Sequence, residues 1–310
     1  MNTIEISDFK DLGCGANSHQ SASIARTHEV IDYDVLSREK ELSYIDYINL
    51  ASALRVCAEF FDVNCVVIVK ENKICSVALG SSSEDAYIKA VDCEPASVPG
   101  ATISSSKEIT FEMAKQLSAM HVKNVIAPSF SKDAFSYLLD TDVKIVCIKT
   151  PLHEIQGFSA PDIKMTPFGA LVQEQNNIKL SKESFSVVSQ AKPSQQQAED
   201  AIFAWKVSKH LKSKSALIAK DLSTKAIIQN AASELEAIES VTDKACEASK
   251  DSVLAYDSAI ELKESINTAI QGRIGLIIES GDSKNSQDIL KYADKYEIPM
   301  IFTKIRNNKY

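Results

Sequence analysis

The sequence predicts an α/β protein with substantial parallel strand pairing, and three observations carry that expectation. Short β-branched runs alternate with stretches of helical spacing along the chain. A block of the first half recurs in the second, about 150 residues later and in the same order. The composition, 45% apolar and 25% charged over 310 residues, is that of an ordinary globular chain able to bury a sizeable core. A chain of that length suits one large domain or two of about 150 residues.

Residues 1 to about 45 are polar and Ser-rich, and they read as a lead segment that packs on something else. From Tyr44, the spacing of Ile45, Ile48, Leu50, Ala53, Leu54, Val56, Cys57 and Phe60 predicts a helix that delivers the chain into the apolar strand Cys65 to Val69. A turn at Lys70 to Lys73 leads to a second strand, Ile74 to Leu79. Ser81 with Glu84 has the spacing of a capping box and predicts a helix through Ala86, Ile88 and Val91 that Pro95 ends. Another helix from about Phe111 to His121 precedes the strand Asn124 to Ala127. A helix through Phe135 and Leu139 and a strand from Val143 to Ile148 close the first half.

Residues 151–194, with Pro151, Pro161, Pro167 and a polar run at Gln173 to Asn177, read as a linker between a first part, 1–150, and a second, 195–310. Ser194 with Gln197 predicts a second capping box, and Ile202, Trp205, Lys209 and Leu211 outline the helix it opens, with Trp205 as core. The strand Ser215 to Ala219 follows. "CVVIVKENK", holding Lys70, then matches "SALIAKDLS", holding Lys220. "LSAMHVKNVIAPSFSKDAFSYL" likewise matches "INTAIQGRIGLIIESGDSKNSQDIL". The acidic stretch from Ser233 to Lys250 predicts a solvated helix face with Leu235, Ile238, Val241 and Ala245 inward. Two related halves create a cleft where loops converge, which directs attention to the turns after Lys70 and Lys220. Solvent-exposed strand ends are the plainer account of both lysines.

Several function classes are disfavoured. The net charge of −8, with basic residues dispersed, argues against a nucleic-acid or anionic-membrane partner. No segment approaches the run of about 18 apolar residues that spans a bilayer, and the start of the sequence lacks leader character, so a cytoplasmic protein is expected. The seven cysteines contain no C-x-x-C pair, and His19, His28, His121, His153 and His210 have no metal-ligand spacing, so no metal site is expected. Lys209-His210 superficially looks like a catalytic Lys-His pair but falls inside the helix predicted for the second half.

Taken together, "LGCGANSHQSA", "VVIVKENKICSVALG", "AYIKAVDCEPASVPGA", "VKNVIAPSFSKDA", "GALVQ", "AWKVSKHLKSKSALIAKD" and "IPMIFTKIRNNKY" resemble, in family order and over nearly the whole chain, the AICAR transformylase domain of the bifunctional purine-synthesis enzyme. The resemblance implies two duplicated cytidine-deaminase-like three-layer α/β/α units, and a homodimer with active sites at the interface. The implied reaction is transfer of a formyl group from 10-formyltetrahydrofolate to the amine of AICAR, making a nucleotide and a folate the implied ligands. Lys70 and Glu71 stand where the family has its catalytic Lys-His. Gly15, Asn17, Gln20, Gly100, Asp257 and Arg306 stand at retained substrate-binding positions, and His19 is retained beside them. A protein of this length is expected to lack the family's cyclohydrolase domain and so not to close the purine ring by itself.

The departures cluster on the chemistry. The weak amine of AICAR needs a base during attack on the formyl carbon, and an exposed carboxylate is a poorer proton acceptor near neutral pH than imidazole. Gly13-Cys14 replaces an Arg-Tyr pair, Pro99 replaces a Phe, Lys214 replaces the Asn that meets AICAR, and Lys309-Tyr310 replace the closing histidines. The expected protein keeps the fold and the dimer, has lost formyl transfer, and serves a binding or regulatory role. The alternative is an active transformylase that uses Lys70 with Glu71.

Overall fold

The computed structural model describes residues 5–27, 30–37, 40–179 and 185–310. His28, the first four residues of the lead segment, and residues 180–184 of the expected linker lie outside the described residues. Three short strands come first: β1 (Ser7–Asp11) and β2 (Ser23–Arg26), which pair only with each other, and β3 (Tyr33–Val35). Then follow α1 (Tyr44–Ala58), β4 (Asn64–Lys70), β5 (Lys73–Gly80), α2 (Ser83–Cys93), β6 (Thr102–Ser105), α3 (Phe111–Ala119), β7 (Asn124–Ala127), α4 (Lys132–Leu139) and β8 (Lys144–Ile148).

The segment 151–194 is not structureless. It holds α5 (Leu152–Gln156), an exposed hairpin of β9 (Asp162–Thr166) and β10 (Gly169–Gln173), and the short strand β11 (Ser186–Val187). The second half runs α6 (Gln195–Ser208), β12 (Ala216–Lys220), β13 (Ser223–Ile228), α7 (Glu234–Ala245), β14 (Val253–Tyr256), α8 (Lys263–Gln271), β15 (Leu276–Glu279), α9 (Ser286–Lys295) and β16 (Met300–Phe302). From α1 to β8 and from α6 to β16, the succession of elements is the same.

A single mixed sheet of 12 strands spans both halves, in the order β11-β16-β15-β14-β12-β13-β5-β4-β6-β7-β8-β3. Within each half, the strands pair antiparallel at the central hairpin and with the next strand, then parallel, and the edge strands β3 and β11 add antiparallel. The halves join where β13 meets β5, with Ser223 opposite Ala78 and the Leu79 amide donating to the Leu222 carbonyl at 2.9 Å. The Thr224 hydroxyl accepts from the Val77 amide at 3.0 Å across the same seam.

Helices cover both faces, which explains why β4 reads as an unbroken apolar run rather than an alternating one. Val67 and Val69 pack towards α1 and α6, whereas Val66 and Ile68 pack towards α2, α3 and α4. The core shared by α1 and α6 holds Phe60, Phe203 and the fully buried Trp205, with the two phenyl rings 5.4 Å apart. The second half has its own core under α7, α8 and α9. No helix among the described residues is long and apolar enough to cross a membrane.

Three local expectations change. The cap of α2 is Ser82, whose side chain accepts from the Asp85 amide, and Asp85 in turn binds Ser81. Moving the cap one residue costs nothing, because both serines precede an acidic first turn. On α7, Glu234 is buried while Leu235 is only half-buried; Glu234 accepts from the Glu261 and Leu262 amides and the Ser265 hydroxyl, bonds that offset its desolvation. Finally, α6 stops at Ser208, so Lys209 is its C-cap residue and His210 lies beyond the helix.

Candidate functional site

The hairpin between β4 and β5 positions Lys70. Its loop is two residues long, Glu71 (φ +50°) and Asn72 (φ +58°), both left-handed, as a type I′ turn requires. The loop is tied down from α1. The side chain of the buried Asn49 accepts from the Asn72 amide at 2.7 Å, and the Ser52 hydroxyl donates to Asn72 Oδ1 at 2.7 Å. Lys70 Nζ donates to the Pro99 carbonyl at 2.9 Å, which brings it to the Gly100 loop, and Glu71 is exposed.

The second half repeats this arrangement with different residues. Asp221 (φ +55°) and Leu222 (φ +53°) form the two-residue loop, held through both backbone amides by Asp200 of α6 at 3.1 and 2.7 Å. Lys220 Nζ donates to the Lys250 carbonyl at 2.8 Å. Two lysines at equivalent strand ends each satisfy a loop carbonyl, which is the work of a structural clasp.

The remaining sequence-selected residues fall in four places. Gly15, Asn17 and Gln20 occupy the exposed β1–β2 connection, where the Gly15 amide donates to the Gln20 carbonyl at 2.7 Å and Asn17 Nδ2 to Gln20 Oε1 at 2.8 Å. Gly100 (φ +77°) takes a backbone conformation that side chains disfavour, and its amide donates to the His121 carbonyl at 2.9 Å. Asp257 is fully buried under the last residues of the chain. Its Oδ2 accepts from the Ser213 hydroxyl, the Ser215 amide and the Ser215 hydroxyl at 2.6, 3.0 and 2.9 Å, while its carbonyl accepts from the Asn307 amide. Burial raises the Asp257 carboxyl against those hydrogen bonds. Arg306 is exposed and donates to Asp282 at 2.7 Å.

An opening of about 360 Å³ lies between the halves. Its walls come from α1, the segment around β9 and β10, the end of α6 and the last residues of the chain, including Arg55, Glu59, Lys209, His210, Arg306 and Lys309. Of the eight residues selected from the sequence, only Arg306 lines it.

At the floor of this cavity, Glu59, the C-cap residue of α1, meets the segment just after α6. Lys209 Nζ forms a buried ion pair with Glu59 Oε1, and His210 Nε2 lies 3.2 Å from the same oxygen. Gln156 donates to the other oxygen at 3.3 Å. Burial pushes the Glu59 carboxyl up, but the His210 hydrogen bond and the adjoining positive charge outweigh it and hold the group at about 2. Burial also pushes the His210 imidazole down, against the pull of Glu59. The consistent state near neutral pH is therefore a charged Lys209–Glu59 pair with a neutral His210 donating its Nε2 proton.

The helical spacing around Trp205 takes in Lys209-His210, and no motif marks Glu59 or Arg55. Partners some 150 residues apart leave no spacing signal. The one available clue was a Lys-His dipeptide beside Leu211, just where the helical stripe ends. Among the described residues no group of three or more His, Cys, Asp or Glu side chains is placed to hold a metal ion.

Comparison with known proteins adds to this picture. The family model described as "AICARFT/IMPCHase bienzyme" matches residues 1–244. The chain is 32% identical to the bifunctional purine biosynthesis protein PurH of Persephonella marina, over 96% of this chain and 59% of that protein. It is also 32% identical to the PurH proteins of Caldicellulosiruptor bescii and Dictyostelium discoideum, over 99% and 96% of this chain and 60% and 56% of theirs. The chain thus spans about 60% of the length of these relatives. A solved structure of Acinetobacter baumannii RibD aligns over 36% of this chain and 37% of its own, at 18% identity and a TM-score of 0.27, too low to bear on the fold.

Proposed function

The chain belongs to the AICARFT/IMPCHase bienzyme family, and from that premise we propose that it is a divergent, AICAR transformylase-like member that has lost formyl transfer and acts by binding or regulation. The observation that carries this reading is the Lys70–Glu71 turn. The base position holds an exposed carboxylate, and the Lys70 ammonium is engaged by Pro99 in the same way that Lys220 is engaged by Lys250. An ammonium clasping a loop carbonyl is poorly placed to steady a developing oxyanion. Under this reading the two halves, with their equal succession of elements, are duplicated cytidine-deaminase-like units flanking the segment 151–194.

Purified protein supplied with AICAR and 10-formyltetrahydrofolate should release no tetrahydrofolate above the uncatalysed rate. Turnover that vanishes in Lys70→Ala would overturn the reading and favour the alternative, an active transformylase that uses Lys70, with Glu71→Gln then testing the base. Calorimetry with AICAR and with the folate reports separately whether Gly15, Asn17, Gln20, Gly100, Asp257 and Arg306 still serve a ligand.

The proposed assembly is a homodimer. The β9–β10 hairpin leaves Met165 and Leu171 largely exposed and Phe168 wholly so, an apolar display that a second copy would cover. Sedimentation should give twice the chain mass for the native protein and a single chain for Phe168→Asp with Leu171→Asp. A native monomer at micromolar concentration would reject the dimer.

A further inference from the structure

A smaller cavity of about 80 Å³ adjoins the large one and shares Arg55, His210 and Lys309 with it. Its remaining walls include Lys212, Asn72 and Ser52, and no carboxylate lines it. We propose that Arg55, Lys212 and Lys309 form a binding site for a phosphate dianion. Three cations from three separate segments, α1, the residues after α6 and the last residues of the chain, converge on this space.

Among the described residues none of the three takes part in an ion pair. Among the described residues, the side chains from α1 and the chain end make the polar contacts Arg55 Nη1 to Gln175 Oε1 at 3.0 Å and Lys309 Nζ to the His210 carbonyl at 3.4 Å. Two of the carboxylates lining the adjoining cavity, Glu59 and Asp162, already have partners. Glu59 is held by Lys209 and His210, and Asp162 accepts from Gln173 at 2.8 Å with Lys164 at 3.8 Å.

The cost of this arrangement falls on Lys309. Burial pushes its ammonium down to about 8, and the charges of Arg55 and Lys212 add to the effect, with Asp162 only partly opposing them. Burial likewise lowers Arg55. Like charges gathered in a half-buried space are expensive unless an anion joins them. A single carboxylate would leave an excess of positive charge, whereas a phosphate supplies two negative charges and the oxygen acceptors that guanidinium and ammonium donors match. The cavity has room for several waters' worth of volume, enough for a tetrahedral oxyanion. The large amide-lined cavity next to it would accept the organic part of a phosphate ester.

This inference does not depend on formyl transfer: none of Lys70, Glu71, Gly15, Asn17, Gln20, Gly100, Asp257 and Arg306 lines the smaller cavity, and Arg306 lines only the larger one beside it. The test is calorimetric titration of the whole chain with inorganic phosphate and, separately, with glycerol 3-phosphate, at ionic strength matched with sodium chloride. Saturable binding is expected in at least one arm, and the tighter arm identifies free phosphate or an ester as the ligand. Because an anion favours the charged form of Lys309, binding at pH 8.5 should be accompanied by proton uptake, read from the dependence of heat on the buffer's ionisation enthalpy. Arg55→Gln and Lys309→Gln should each weaken binding about 10- to 100-fold. Hydrogen exchange on the native chain, which requires no variant, should show phosphate-dependent protection at α1 and around residue 212. No saturable binding of either ligand, or equal affinity in folded variants, would overturn the site.

Discussion

Glu59→Ala should destabilise the protein by about 3–5 kcal/mol in urea unfolding at pH 7, because removing the carboxylate leaves the Lys209 ammonium buried without its partner. Lys209 is 8% and Glu59 6% exposed, so water cannot take over the lost interaction. The same substitution removes the joint between the C-terminus of α1 and the segment after α6, so the loss should appear as reduced cooperation between the halves as well as a lower midpoint. Glu59→Gln, which keeps an acceptor oxygen, should lose less. Replacing both partners, Glu59→Leu with Lys209→Met, should recover much of the loss.

The pH dependence of this effect follows from the depressed Glu59 carboxyl. With a folded value of about 2 against 4.5 in the free side chain, its contribution is fully present above pH 4.5 and disappears as pH falls towards 2. The gap between native protein and Glu59→Ala should therefore narrow on acidification. A loss below about 1 kcal/mol at pH 7 would show that the pair contributes little beyond its own desolvation.

Glu279→Gln should have the opposite sign. Glu279 is fully buried at the end of β15; one oxygen accepts from the Ile260 and Gly281 amides at 2.8 and 3.2 Å, and the other has no hydrogen-bond partner. Burial raises its carboxyl to about 7 against those two hydrogen bonds, and the charges of Glu234 and Asp282 push it up further. A raised folded value means that the native state holds the proton more tightly than the unfolded chain. Its stabilising effect is present below pH 4.5 and is lost as pH rises through 7.

Glu279→Gln stays neutral and keeps the acceptor, so it should stabilise the protein by roughly 2–3 kcal/mol at pH 8 and have little effect at pH 5. Urea unfolding at the two pH values measures the difference. Equal effects at both would show that Glu279 is not the group responsible.

How much of this was legible in the sequence depends on the range of the interaction. The strand Asn124–Ala127 falls where its β-branched run places it, and Ser194 with Gln197 forms the capping box their spacing announces. These are local features, fixed by residues within one or two turns of each other. The strand β6, Thr-Ile-Ser-Ser, carries no strand pattern of its own because three of its four residues are polar. Its burial comes from neighbouring strands and from helices on both faces, not from its own composition. The β9–β10 hairpin was hidden for a similar reason, since its apolar residues face outwards and its flanks carry proline and polar runs.

The site divides along the same line. Lys70 and Glu71 could be located from sequence because they lie in one β-hairpin, and a strand end followed by a short polar turn is a local pattern. Whether the Lys70 ammonium is available could not be read there, because its partner is the Pro99 carbonyl, 29 residues away, and the comparison with Lys220 needs both halves folded.

By itself, then, the sequence determined the alternation of strands and helices, written in nearest-neighbour patterns, and the equivalence of the Lys70 and Lys220 turns, written in the internal repeat; the exchange at Glu71 is what the family resemblance implies. Only the tertiary structure decided that Glu59 meets Lys209 and His210, and that Arg55, Lys212 and Lys309 gather around one cavity. Burial and charge proximity between residues about 100 or more positions apart exist only after the two halves of the sheet have joined along β5 and β13.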